Sequence, residues 1–140
     1  MLDKSEYQVK IDLGKIKDAA GNSIDSIFTH KFSTINSLQF SGASGKVFSD
    51  NEPDKLFVVL KNLDPKKKNY KKKVTANNEF KFERVVPGKY LVWSFFDADS
   101  NGEYSYGKIN PFEKSEEFIY YPDTLNLKAR WPVGDVYLNY

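Results

Sequence analysis

The feature that most constrains this chain is a succession of short strand-like runs, each cut off by turn residues. "YQVKIDL" and "IFTHKFSTI" open it. "SGKVFS", "KLFVVLKNL", "YKKKVTA", "EFKFERV", "KYLVWSFFD", "EEFIYYP", "LNLKARW" and "VYLNY" follow. Between them stand Gly21-Asn22, Asp50-Asn51-Glu52-Pro53, Asp64-Pro65, Asn77-Asn78, Pro87-Gly88, Asn101-Gly102, Pro122-Asp123 and Pro132-Val133-Gly134. Such residues bend the backbone by accepting positive φ, pre-setting φ, or bonding their own main chain. No stretch combines a helical period with caps. The pattern predicts an all-β, antiparallel β-sandwich. Composition agrees: hydrophobic residues make up 40% and aromatics 16% of 140 residues, enough to fill a core and favourable to strands.

Bulk properties exclude several classes of function. A net charge of +2 supplies no overall field to draw in nucleic acid. With no cysteine there is no disulfide framework, thiol nucleophile or cysteine-based zinc site. No apolar run is long enough for a transmembrane helix. "MLDKSEYQVK" lacks the apolar segment of a signal peptide, so the chain is expected to be part of a longer protein. It closes on "DVYLNY", expected to be a natural C-terminal strand.

In the opening run, Tyr7, Val9, Ile11 and Leu13 alternate onto one face, and "DAAGNS" is turn chemistry before a second strand. Two strands alone are too few for an independent core. Tyr7, Val9, Ile11, Asp18, Gly21, Asn22, Phe32 and Thr34 resemble the closing "Y-x-V-x-I … D-x-x-G-N … F-x-T" pattern of bacterial Ig-like domains. The resemblance implies that residues 1–36 are the C-terminal fragment of such a domain, an extra N-terminal β-hairpin. The Ser/Gly-rich "NSLQFSGASG" marks the junction.

Residues 37–140 form the second expected domain. Phe80, Phe82, Val86, Pro87-Gly88, Tyr90 and Val92 resemble the hairpin of prealbumin-like modules, among them the carboxypeptidase regulatory-like and collagen-adhesin B-type families. Pro87 would pre-set φ, and Gly88 would take the positive φ of a type II turn. Beyond it, Tyr90, Val92 and Phe96 alternate with Leu91, Trp93 and Phe95. A strand apolar on both faces is expected to be central and covered on each side, one cover being the N-terminal fragment. The order of the two domains resembles lipoproteins of the Bacteroidetes cell envelope. That resemblance implies a bacterial cell-surface location, with membrane attachment only through a lipid anchor outside these residues.

"DADSNGEYSYGK", residues 97–108, is the strongest candidate site. Asp97, Asp99 and Asn101 occupy alternate positions before Gly102, as in the opening of a calcium loop, with the carbonyl of Glu103 next in line. Lys108 stands where the closing bidentate carboxylate belongs, so Glu113, Glu116 or Glu117 would have to fold back. The competing reading is an Asx-rich turn whose carboxylates bond backbone N–H groups. The expectation is a loop ordered mainly by its own hydrogen bonds, with calcium as the metal if one binds and a modest effect.

Other features are weaker. "PKKKNYKKKV", residues 65–74, sets six lysines about Tyr70, and reads as a solvated hairpin tip guarding a sheet edge more readily than as an anion site. No arginine cluster or stacking aromatics support nucleic acid. His30 is the sole histidine, lies in a strand, and has no serine elbow near it; no motif selects a carboxylate pair for glycoside hydrolysis. Tyr104, Tyr106, Phe112, Tyr120, Tyr121 and Trp131 cluster late in the chain and could offer a platform for sugar rings. The expected function is a non-catalytic structural or binding module of an envelope protein, its partner another protein or a glycan, with a carbohydrate-binding module as the alternative.

Overall fold

The computed structural model describes residues 4–140, so Met1, Leu2 and Asp3, which begin the segment read for a signal peptide, lie outside the described residues. Every strand-like run of the sequence becomes a strand, and no α-helix occurs among the described residues. The chain divides into two compact units at Ser37/Leu38.

In the first unit, strands β1 (Glu6–Asp12) and β2 (Ile27–Ser33) pair antiparallel, Tyr7 opposite Phe32, Val9 opposite His30 and Ile11 opposite Phe28. The ends are joined through Asp18, whose carboxylate accepts the amides of Ala20 and Asn22, while Gly21 takes φ +86°. Those amide bonds hold the Asp18 carboxyl below its usual range, the Asn22 side chain contributing most. Leu13 leaves the strand for a single 3-10 turn, so it does not extend the face that carries Val9 and Ile11.

The second unit is an antiparallel-dominated β-sandwich. One sheet holds β3 (Ser41–Phe48), β6 (Glu79–Val85) and β10 (Val133–Asn139) in the order β10-β3-β6. The other holds β4 (Leu56–Asn62), β5 (Tyr70–Lys73), β7 (Gly88–Phe96) and β8 (Phe118–Tyr120) in the order β5-β4-β7-β8, with β9 (Leu125–Leu127) also on β7. Alternate residues of both sheets meet in one core. Val47, Phe80, Val85 and Leu138 come from one side, and Leu56, Val58, Leu60, Tyr90, Val92 and Leu127 from the other. Burial of these side chains, about 1.5–3 kcal/mol each for the aliphatic and phenyl groups, offsets the entropy of ordering the strands.

β10 lies parallel to β3, and the pairing slips between Val133 and Val136. Gly45 permits this: a Cβ there would stand 1.8 Å from the Val136 carbonyl oxygen.

The structure corrects the expected hairpin. β6 pairs with β3 and β7 with β4, so the two runs around Pro87 belong to opposite sheets. Val86-Pro87 therefore crosses the sandwich. Gly88 is the first residue of β7, paired with Leu127, and is absent from the positive-φ residues. Two tyrosines take the place of a turn bond. The Tyr90 hydroxyl donates to the Val86 carbonyl at 2.7 Å, and the Tyr70 hydroxyl accepts the Val86 amide at 3.0 Å. A main chain leaving one sheet for another needs such partners, because its N–H and C=O lose their ladder.

Candidate functional site

β7 is central, as expected, with β4 on one side and β8 and β9 on the other. Its alternation sends Tyr90, Val92 and Ser94 into the core and Trp93 and Phe95 onto the outer face. That face is covered from within the same unit. Tyr104 sets its ring edge-on to Trp93 at 5.4 Å and to Phe95 at 5.8 Å. Tyr120, opposite Trp93 across the ladder, stacks on it at 5.9 Å, and Phe118, opposite Phe95, meets Tyr120 edge-to-face at 5.7 Å. Tyr106 completes the cluster at 4.8 Å from Tyr104, and its side chain stands 85% exposed. Edge-to-face and offset contacts of this kind are worth about 0.5–1.5 kcal/mol each beyond area burial.

Two shallow grooves flank the Tyr104–Tyr106 pair. One, of about 320 Å³, is lined by Lys61, Trp93, Tyr104, Tyr106, Phe118 and Tyr120. The other, of about 360 Å³, includes Asn69, Lys71 and Glu103 together with Trp93 and the same two tyrosines. The indole Nε1–H of Trp93 is buried without a partner. The rings are thus bordered by phenol, ammonium, carboxylate and amide groups.

The acidic loop lies directly after β7. Asp97 is only 4% exposed. Its Oδ1 accepts the Asn101 amide at 3.1 Å and its Oδ2 the Gly102 amide at 2.9 Å. Asp99 accepts the same Asn101 amide, the Asn101 side-chain amide and the Ser105 hydroxyl. These bonds, the Asn101 amide first, hold the Asp99 carboxyl below its ordinary range. Asn101 Oδ1 accepts the Glu103 amide. Glu116 folds back, buried, to accept the amides of Ala98 at 2.8 Å and Ser105 at 3.0 Å.

Carboxylate oxygens of Asp97, Asp99 and Glu116 lie within 4.8 Å of one another. Three hard-oxygen donors of that kind fit the chemistry of calcium. Of the three glutamates weighed for the closing role, Glu116 is the one that arrives. Glu113 instead pairs with Lys108 at 3.0 Å. The Glu103 carboxylate turns outward to Lys71, which also donates to the Gly102 carbonyl. Gly107 lets the return strand close in. It sits at φ +76°, and a Cβ there would stand 2.5 Å from the Glu113 carbonyl oxygen.

The remaining expected residues scatter. Trp131 is 74% exposed beside the three-stranded sheet, its carbonyl accepting the Ser41 hydroxyl. Phe112 is exposed, and Tyr121 packs against the core. Of the six late aromatics, only Tyr104, Tyr106 and Tyr120 join the cluster. Trp93 and Phe118 belong to it and were missed as site residues; period-two alternation with Phe95 and Tyr120 was the available signal. Lys71, Lys72 and Lys73 lie on β5, the edge of the five-stranded sheet, with Lys72 donating to the Lys81 carbonyl. His30 sits on β2 between the rings of Phe28 and Phe32.

No protein-family model matches the chain, and no curated protein matches it. Among solved structures, similarity is found to a candidate carbohydrate-binding protein of Pseudomonas aeruginosa. Identity is 14%, covering 75% of this chain and 91% of that one, with a TM-score of 0.43. A likeness that slight transfers neither fold nor function. The larger unit is an all-β sandwich with an aromatic outer face and a carboxylate-rich loop beside it.

Proposed function

We propose that the sandwich of residues 38–140 is a non-catalytic carbohydrate-binding module, and that the aromatic face of β7 and β8 is its binding surface. One observation carries the reading: the exposed ring of Tyr120 stacks on Trp93, the exposed rings of Tyr106 and Phe118 meet Tyr104 edge-to-face beside it, and the grooves among these rings are bordered by hydrogen-bonding groups. Sugar rings present apolar C–H faces and hydroxyl edges, so they suit a surface that offers ring faces and polar rims together. A site for a purely apolar ligand would bury it more fully.

The family reading belongs to the same proposal: a prealbumin-like module preceded by an Ig-like hairpin, in a protein of the bacterial envelope. It rests on the motif resemblance. A lipid-anchor cysteine encoded upstream, or recovery of the full-length protein with the membrane fraction, would support that location; recovery in the cytosol would sink it.

The binding reading is tested on a glycan array followed by calorimetry. Tyr106→Ala removes the most exposed ring, so its melting temperature should stay within a few degrees of wild type, while Tyr120→Ala also gives up contacts with Trp93 and Phe118 and should melt lower but still cooperatively. Each should weaken glycan binding by about tenfold, or about 1.4 kcal/mol. An array with no hits, or hits untouched by both substitutions, would refute the proposal.

A further inference from the structure

The two grooves differ in charge, and this bears on the class of sugar. In the groove that contains Asn69, the cation Lys71 is neutralised by the Glu103 carboxylate, whose side chain lines the same groove. In the groove formed with Phe118 and Tyr120, the only charged group is Lys61, and no acidic residue lines it. Lys61 follows Phe57 and Val59 on the outer face of β4 by period-two alternation, and β7 places Leu91 opposite it. Among the described residues Lys61 makes no ion pair; Lys66, Lys68, Lys72, Lys73, Lys89 and Lys128 of this unit make none either, but of these only Lys61 lines the groove of Phe118 and Tyr120.

Resting on the carbohydrate reading, we infer that the ligand is an anionic saccharide, whose carboxylate or sulfate lies at Lys61 while its ring stacks on the aromatic cluster. An unopposed ammonium at the border of an apolar groove attracts an anion. A neutral sugar would leave that charge unused. The lysine is solvent-exposed, so its contribution is that of a rim charge, setting preference and salt sensitivity more than total affinity.

The test compares uronic-acid oligosaccharides, sulfated oligosaccharides and neutral oligosaccharides of matched length by calorimetry with the whole chain. The expected result is about threefold to tenfold tighter binding of an anionic series than of the neutral one, shrinking as salt rises. Lys61→Gln should erase that preference while keeping residual binding, Lys61→Arg should retain it, and Lys61→Glu should reverse it. The stronger series distinguishes carboxylate from sulfate as the source of the charge. Equal binding of all three, or a preference that survives Lys61→Gln, overturns the inference and leaves the carbohydrate reading standing. No binding in any series overturns both.

Discussion

At the scale of single residues, the phenols report how the sandwich treats charge. Tyr140 donates to the buried Ser94 hydroxyl at 3.1 Å, and burial pushes its phenol up to about 12, the Ser94 bond opposing and the Glu117 carboxylate adding to the rise. Tyr90 is raised as well, burial first. An unfolded tyrosine ionises near pH 10. Between that value and the folded one, the unfolded chain gives up a proton that the folded chain keeps. Stability therefore falls as pH rises through this window, and these groups contribute nothing to pH dependence below it. Thermal melts between about pH 9 and about pH 12 should show a falling midpoint. Tyr140→Phe, lower at neutral pH by about 1 kcal/mol for the lost hydrogen bond, should show a shallower fall. A parallel fall in the variant would assign the whole effect to other groups.

The element that concentrates polar chemistry is the return loop between β7 and β8. Asp97, Asp99 and Glu116 each accept backbone amides, so the loop has an internal source of order. A calcium ion would add to bonds already made. Binding stabilises by RT ln(1 + [L]/Kd), which for a millimolar site in millimolar calcium is about 0.4 kcal/mol. Several millimolar CaCl₂ should then raise the melting midpoint, measured against EDTA, by less than ~5 °C. Asp97→Ala strands the amide of Gly102, while the Asn101 amide keeps its bond to Asp99, and should cost about 1–3 kcal/mol in EDTA as well as in calcium. A larger calcium rise, or an Asp97→Ala variant as stable as wild type in EDTA, would mean that a cation and not the amide network orders this loop. The aromatic face depends on the same loop, because Tyr104 and Tyr106 ride on it. Loss of Asp97 is thus expected to weaken glycan binding along with stability.

For the whole molecule, the core of the larger unit is drawn from its own two sheets. Residues 38–140 expressed alone should melt in one cooperative transition, with a circular dichroism spectrum of β type. A helical spectrum or a non-cooperative melt would contradict the fold described above. The first unit differs in kind. Val9, Ile11 and Phe28 share a face of β1–β2 and remain exposed, as two strands cannot cover their own apolar side.

All ten strands and most turns were legible in the sequence, because each depends on alternation and on Gly, Pro, Asn or Asp close by in the chain. The positive φ of Gly21 and Gly102 was legible for the same reason. Partnership was not. Val86-Pro87-Gly88 reads locally as a turn, yet β6 and β7 part to opposite sheets because each finds its ladder elsewhere, on β3 and β4. The parallel seat of β10 on β3 joins residues some ninety positions apart, and no local period encodes it. The same holds at the site: alternation marks Trp93, but not that Tyr104 and Phe118 will stand against it. Carboxylate spacing marks Asp97 and Asp99, but not that Glu116 will close on them while Glu113 pairs with Lys108. Local sequence sets which segments extend and which bend. Only burial of one shared core decides which distant strands meet, and with them which side chains become neighbours.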